Sequence, residues 1–145
     1  WVSALERAHV IRLLDPTLGR SGLFKGERII GVLRDLKMLT VNNNRIETLP
    51  ENLCFLKSLR RIAARSNRLL ELPSAIGQLE SLESLDLKAN RLTYLPASIG
   101  QLAQLKSLDV SENAISQLEL SICECAKLDK FELNSFSIFS RVSLV

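Results

Sequence analysis

The chain has 145 residues, one domain's worth, and its 46% hydrophobic and 24% charged residues supply enough apolar surface for a core and exclude long disorder. Its uninterrupted apolar stretches fall far short of the roughly 18 residues a membrane span needs. The formal charge of +3, from 19 basic and 16 acidic residues, is too small an excess to drive polyanion binding, so nucleic acid is not an expected partner.

Leucine fills 29 positions, while all aromatics together make 5% of the chain, an imbalance foreign to ordinary globular folds. Its source is a period of 23 residues: Leu49–Glu71, Leu72–Tyr94 and Leu95–Gln117 align without a gap, and the same phase extends back to Gly26–Thr48 and forward to Leu118–Ser140. Apolar residues recur at repeat positions 5, 8, 11, 14, 16 and 21, for example Ile76, Leu79, Leu82, Leu85, Leu87 and Leu92. Steps of three suit one face of a helical or 3₁₀ segment, and the step of two from 14 to 16 is strand alternation. Each unit is therefore one strand plus one return segment. A single unit cannot bury both of its apolar edges, so stacked neighbours supply the core.

In chain order, residues 1–25 are expected to form an N-terminal cap: a helix from Trp1 to about Ile11, with Trp1, Leu5 and Ala8 on its apolar side, then a degenerate repeat. Residues 3–25 keep the frame, but Pro16 stands at position 14 and Ser21 at position 19, and a proline there removes a ladder donor. Five repeats occupy residues 26–140, and 141–145 form a tail; the whole chain is read as one domain. In the last unit Phe136 replaces the asparagine of position 19 and Glu119 replaces the proline of position 2. Without a polar cap, Phe131, Phe136, Ile138, Phe139, Val142 and Leu144 fold back as a makeshift cap, pair with a second copy as a homodimer, or mark a truncated chain.

Asn44, Asn67, Asn90 and Asn113 all fall at position 19, just after the strand. An amide there can bond the turn's own backbone and that of the next repeat, so the four are expected to form a structural ladder. Between the buried strand residues, positions 13, 15 and 17 point to the open face of the sheet. They are Met38, Thr40 and Asn42; Arg61, Ala63 and Arg65; Ser84, Asp86 and Lys88; Ser107, Asp109 and Ser111; and Lys130, Glu132 and Asn134. The face is graded in charge, with Lys37, Arg60, Arg61 and Arg65 early and Asp86, Asp109, Glu112 and Glu132 late. Such a surface fits a protein partner of complementary charge. A second column, Arg45, Arg68 and Arg91 at position 20, could hold an acidic segment or phosphate, unless Glu47 or Glu71 neutralises it.

The string LPxxIGxLxxLxxLDLxxNxLxx, carried by the units from Leu72 and Leu95, resembles the leucine-rich repeat in its short intracellular subclass, that of Ras-suppressor proteins, Shoc-type scaffolds and plant intracellular Ras-group proteins. The resemblance covers about residues 26–140. Ser3-Ala4-Leu5, Arg7-Ala8-His9-Val10, Ala114-Ile115-Ser116-Gln117 and Ile122-Cys123-Glu124-Cys125 resemble, more narrowly, the small family called leucine-rich repeat-containing protein 57. The resemblance implies a right-handed α/β solenoid, with a parallel sheet on its concave face and helical or 3₁₀ segments on its convex face. It also implies a scaffold or adaptor whose partners include small GTPases, phosphatases or other signalling proteins. In the narrower family a glycine ahead of Trp1 would permit lipidation and a membrane-peripheral adaptor.

Catalytic chemistry is missing from the pattern. His9, the only histidine, has no cysteine or serine partner in view, and no phosphate-binding G-x-x-x-x-G-K-[ST] loop occurs. Of the three cysteines, Cys123 and Cys125 are too close for an ordinary bridge and lack the second pair or histidines a zinc site needs. Cys125 takes a buried leucine position, and Cys54 and Cys123 take the glycine position, so all three read as packing residues. The expectation is a noncatalytic interaction module without cofactor or metal, in a reducing, cytoplasmic compartment.

Overall fold

The strands recur at positions 13–15 of every unit from the second onward. In the computed structural model, which describes residues 10–12 (backbone only), 34–118 and 120–133, they are β1 (Val10–Arg12), β2 (Met38–Thr40), β3 (Arg61–Ala63), β4 (Ser84–Asp86), β5 (Ser107–Asp109) and β6 (Lys130–Glu132). They form one parallel sheet in sequence order. From β2 to β6 the register is the sequence period itself, with Met38, Arg61, Ser84, Ser107 and Lys130 side by side in one row.

The return segments are short 3₁₀ helices, Glu51–Phe55, Ile76–Gln78, Ala97–Gln101 and Leu120–Glu124. Pro50 and Pro96 stand before two of them in extended conformation. The carbonyls of Pro50, Pro73 and Pro96 accept from the N–H of Leu53, Ile76 and Ile99, which opens the first turn. The leucine step of three then has a direct cause. A 3₁₀ helix has three residues per turn, so residues three apart share a face, and the bonds run Leu79 N to Ile76 O and Leu82 N to Leu79 O, both at 3.0–3.1 Å. The same chain of bonds joins Ile99, Leu102 and Leu105.

All six apolar positions are buried in the units from Leu72 and Leu95, as is the leucine at position 1 (Leu49, Leu72, Leu95). Glycine at position 6 lets neighbouring 3₁₀ turns meet backbone to backbone. A Cβ on Gly77 would stand 2.3 Å from the carbonyl oxygen of Ser98, and one on Gly100 equally close to that of Ser121. After Cys54, which takes this place one repeat earlier, the next 3₁₀ helix begins only at Ile76, with Ala75 at φ −92° before it. Position 18 turns the chain out of the strand with positive φ at Asn43, Ser66, Ala89 and Glu112, between 55° and 58°.

At the N-terminal end the structure corrects the frame. Val10 pairs with Met38, whereas the 23-residue phase would have set Asp15 there. Val10 and Ile11 therefore lie in a strand and not at the end of a helix. Pro16 explains the shift: it cannot donate to a ladder, while Val10-Ile11 is a β-branched pair suited to a strand. The rest of the expected capping helix, the degenerate repeat around Pro16 and Ser21, and the tail residues Phe136, Ile138, Phe139, Val142 and Leu144 lie outside the described residues. Among the described residues no helix is long and apolar enough to cross a membrane.

Candidate functional site

The asparagines set the spacing of everything around them. Asn90 donates from Nδ2 to the carbonyls of Leu87 (2.8 Å) and Ala64 (2.9 Å), and its Oδ1 accepts the N–H of Leu69 at 3.0 Å. Asn67 repeats this with Ala64, Val41 and Ile46, and Asn113 with Val110, Leu87 and Leu92. Asn44 donates to Val41 and Asn42 of its own turn. The amides thus bind their own turn and the preceding repeat, not the next one. As a result Val41, Ala64 and Leu87 each offer one carbonyl to two asparagines.

On the sheet face the register places Met38, Arg61, Ser84, Ser107 and Lys130 in one row and Thr40, Ala63, Asp86, Asp109 and Glu132 in the next. Arg61, Arg65 and Lys130 are exposed, and the others through Glu132 are half-buried; Asn134 lies outside the described residues. The charges do not form the two opposed ends that their order along the chain suggests. Arg65 Nε lies 3.3 Å from Asp86, Lys88 pairs with Glu112 at 3.1 Å, and Lys130 with Glu132 at 2.8 Å. Below the face, Glu83 holds both Arg60 and Lys106, and the lysine bond, followed by its charge, draws the carboxyl below the usual range. The Glu112 carboxylate likewise raises the Lys88 ammonium. Asp109 accepts from the N–H and hydroxyl of Ser111. Sequence spacing alone misses the pairing between repeats, although opposite charges 21 to 24 residues apart signal it once the strand register is known.

Arg45, Arg68 and Arg91 are exposed, and neither Glu47 nor Glu71 pairs with them. Glu71 instead accepts the Tyr94 hydroxyl at 3.1 Å, which holds the phenol above its usual range.

Cys54 is buried at the glycine position, and desolvation pushes its thiol up to about 11. Cys125 is also buried, its Sγ 3.2 Å from the Ile99 carbonyl, and its thiol is raised by burial. Cys123 is exposed, which corrects its reading as a packing residue: in this last unit its glycine position faces solvent. Among the described residues no group of three His, Cys, Asp or Glu is placed to hold a metal ion.

The family profile described as leucine rich repeat matches residues 58–115 and 80–135, together more than half of the chain. Among solved structures, a leucine-rich repeat protein of Leptospira interrogans is similar at 29% identity and a TM-score of 0.69, over 86% of this chain and 29% of that one. The ectodomain of the receptor kinase SOBIR1 from Arabidopsis thaliana is similar at 30% identity and a TM-score of 0.63, over 72% of this chain and 60% of that one. The plant peptide hormone receptor RGFR1, in complex with RGF2, is similar at 29% identity and a TM-score of 0.65, over 72% of this chain and 18% of that one. The chain thus spans less than two thirds of the length of each. No curated protein matches it.

Proposed function

Since the chain belongs to the leucine-rich repeat family, we propose that it is a noncatalytic interaction module that docks a protein partner on its open sheet face. The observation that carries this reading is the face itself: rows of polar side chains in fixed register, several pre-positioned by bonds between repeats, such as Arg65–Asp86, or within one, such as Ser111–Asp109. Groups already held in place lose less freedom on binding. One structural neighbour is a peptide hormone receptor in complex with RGF2, so a fold of this class presents a surface to a protein ligand. We assign the chain to the short subclass of Ras-suppressor and Shoc-type proteins, near the protein 57 family. Its role there is a cytoplasmic adaptor for a small GTPase, a phosphatase or another signalling protein.

The test is affinity capture from lysate with the native chain beside Arg61→Glu and the Arg61→Glu/Arg65→Glu pair. Arg61 has no ion pair among the described residues, so its reversal leaves the fold intact and should release the partner. Identical capture by all three chains refutes the sheet face as the site.

A second reading, self-association through the C-terminal repeat, is favoured by Phe131. It occupies position 14, where Leu39, Ile62, Leu85 and Leu108 are at most 2% exposed, yet Phe131 is 37% exposed. This reading expects a mass that rises with concentration and falls to monomer in Phe131→Asp; a monomer at every concentration refutes it.

A further inference from the structure

We propose that Arg45, Arg68 and Arg91 form a second binding surface, which takes an acidic segment of a protein partner through guanidinium–carboxylate bonds. Elsewhere this solenoid joins opposite charges between neighbouring repeats, in Lys57–Glu80, Arg60–Glu83–Lys106, Arg65–Asp86 and Lys88–Glu112. The arginine column departs from that habit. Three like charges stand in consecutive repeats, exposed, with no ion pair or side-chain hydrogen bond among the described residues.

The column is also rigidly seated. Each arginine follows a ladder asparagine and precedes a buried Ile46, Leu69 or Leu92. Arg68 N and Arg91 N donate to Ile46 O and Leu69 O at 2.9 Å, and the ladder amides take the N–H of Ile46, Leu69 and Leu92. The backbones under the guanidinium groups are therefore held about 4.8 Å apart, the spacing of the strands. The carboxylate of Glu71, three residues along the chain from Arg68, accepts the Tyr94 hydroxyl. Leu70 and Tyr94, both exposed, lie in the same stretches of chain and offer apolar surface to a peptide's side chains.

The dimensions favour a peptide. Three charges over about 10 Å match two or three carboxylates on an extended segment, which planar guanidinium forks bind in bidentate fashion. A long polyanion or an anionic bilayer would extend past the column onto Glu47 and Glu71, both exposed. The proposal rests on the reading of the chain as an interaction module but uses residues outside the sheet face, so separate variants test the two.

The experiment is a fluorescence-anisotropy titration of a labelled peptide of alternating glutamate and serine. It compares the native chain, Arg45→Gln/Arg68→Gln/Arg91→Gln, and a control, Arg34→Gln/Lys57→Gln/Lys127→Gln, that removes the same charge from exposed positions outside both surfaces. Thermal melting verifies that all three are folded. The native chain and the control should bind alike, the column variant about tenfold or more weakly, with affinity falling as salt rises. Equal affinity of native and column variants, equal weakening in both triple variants, or binding to phosphatidylserine vesicles without binding to the peptide each overturns the proposal.

Discussion

Replacing Asn90 by alanine should cost about 3–4 kcal/mol, and the sharing of carbonyls sets the figure. The substitution deletes the bonds to Leu87 O, Ala64 O and Leu69 N. Leu87 O still receives Asn113 and Ala64 O still receives Asn67, so those two losses cost about 0.5–1 kcal/mol each. The N–H of Leu69 is left buried with no acceptor, which adds about 1–3 kcal/mol. Urea denaturation followed by circular dichroism reads the sum; with a slope of about 2 kcal/mol per molar, the midpoint falls by about 1.5–2 M. The sharing also dictates a coupling. In Asn67→Ala/Asn90→Ala, Ala64 O loses both donors at once, so the double variant should lose about 1 kcal/mol or more beyond the sum of the singles. A single-variant loss below about 1 kcal/mol, or strict additivity in the double, would refute this account of the ladder.

Gly77→Ala should destabilise by about 2–4 kcal/mol, seen as a lower melting temperature, because its Cβ meets the main-chain oxygen of Ser98 and no rotamer relieves the clash. Glu51 accepts the N–H groups of Ser74 and Ala75 at 2.7 and 3.2 Å, and the Ser74 bond foremost lowers its carboxyl below the usual value. A lowered folded-state value means that the stabilisation is present above the ordinary carboxylate range and is lost as pH falls through the folded value. The melting gap between native and Glu51→Gln chains should therefore be open at pH 7 and close in acid; a constant gap counts against it. With a thiol-reactive dye, Cys123 should react at once, and buried Cys54 and Cys125 only on unfolding; three equal rates would contradict the placement.

Strand position and core were legible because one signal, the 23-residue period, fixed both. The leucine at position 1 of the units from Leu49, Leu72 and Leu95 was in plain view, yet its burial became clear only with the 3₁₀ helix that follows it. Asparagine spacing shows that the four amides are equivalent, but a sequence carries no sign of direction, and the step back to the preceding repeat comes from geometry. Pro16 marked the N-terminal repeat as irregular without revealing that its strand would form at Val10–Arg12. For the sheet face, composition showed the charges and register alone showed the pairing: Arg65 and Asp86 are 21 residues apart in sequence and 3.3 Å apart in space.

The backward reach of the asparagines gives the solenoid a sense of assembly. Each cross-repeat bond of Asn67, Asn90 and Asn113 joins a side chain of the later unit to the backbone of the earlier one. A chain emerging from the ribosome therefore brings each of these amides after the surface it fastens to. Truncation from the C-terminus leaves the remaining amides fully engaged, whereas removal of an N-terminal unit strands the first asparagine that follows. The ladder can be lengthened or shortened at its far end in steps of one repeat without unpairing any earlier asparagine side chain.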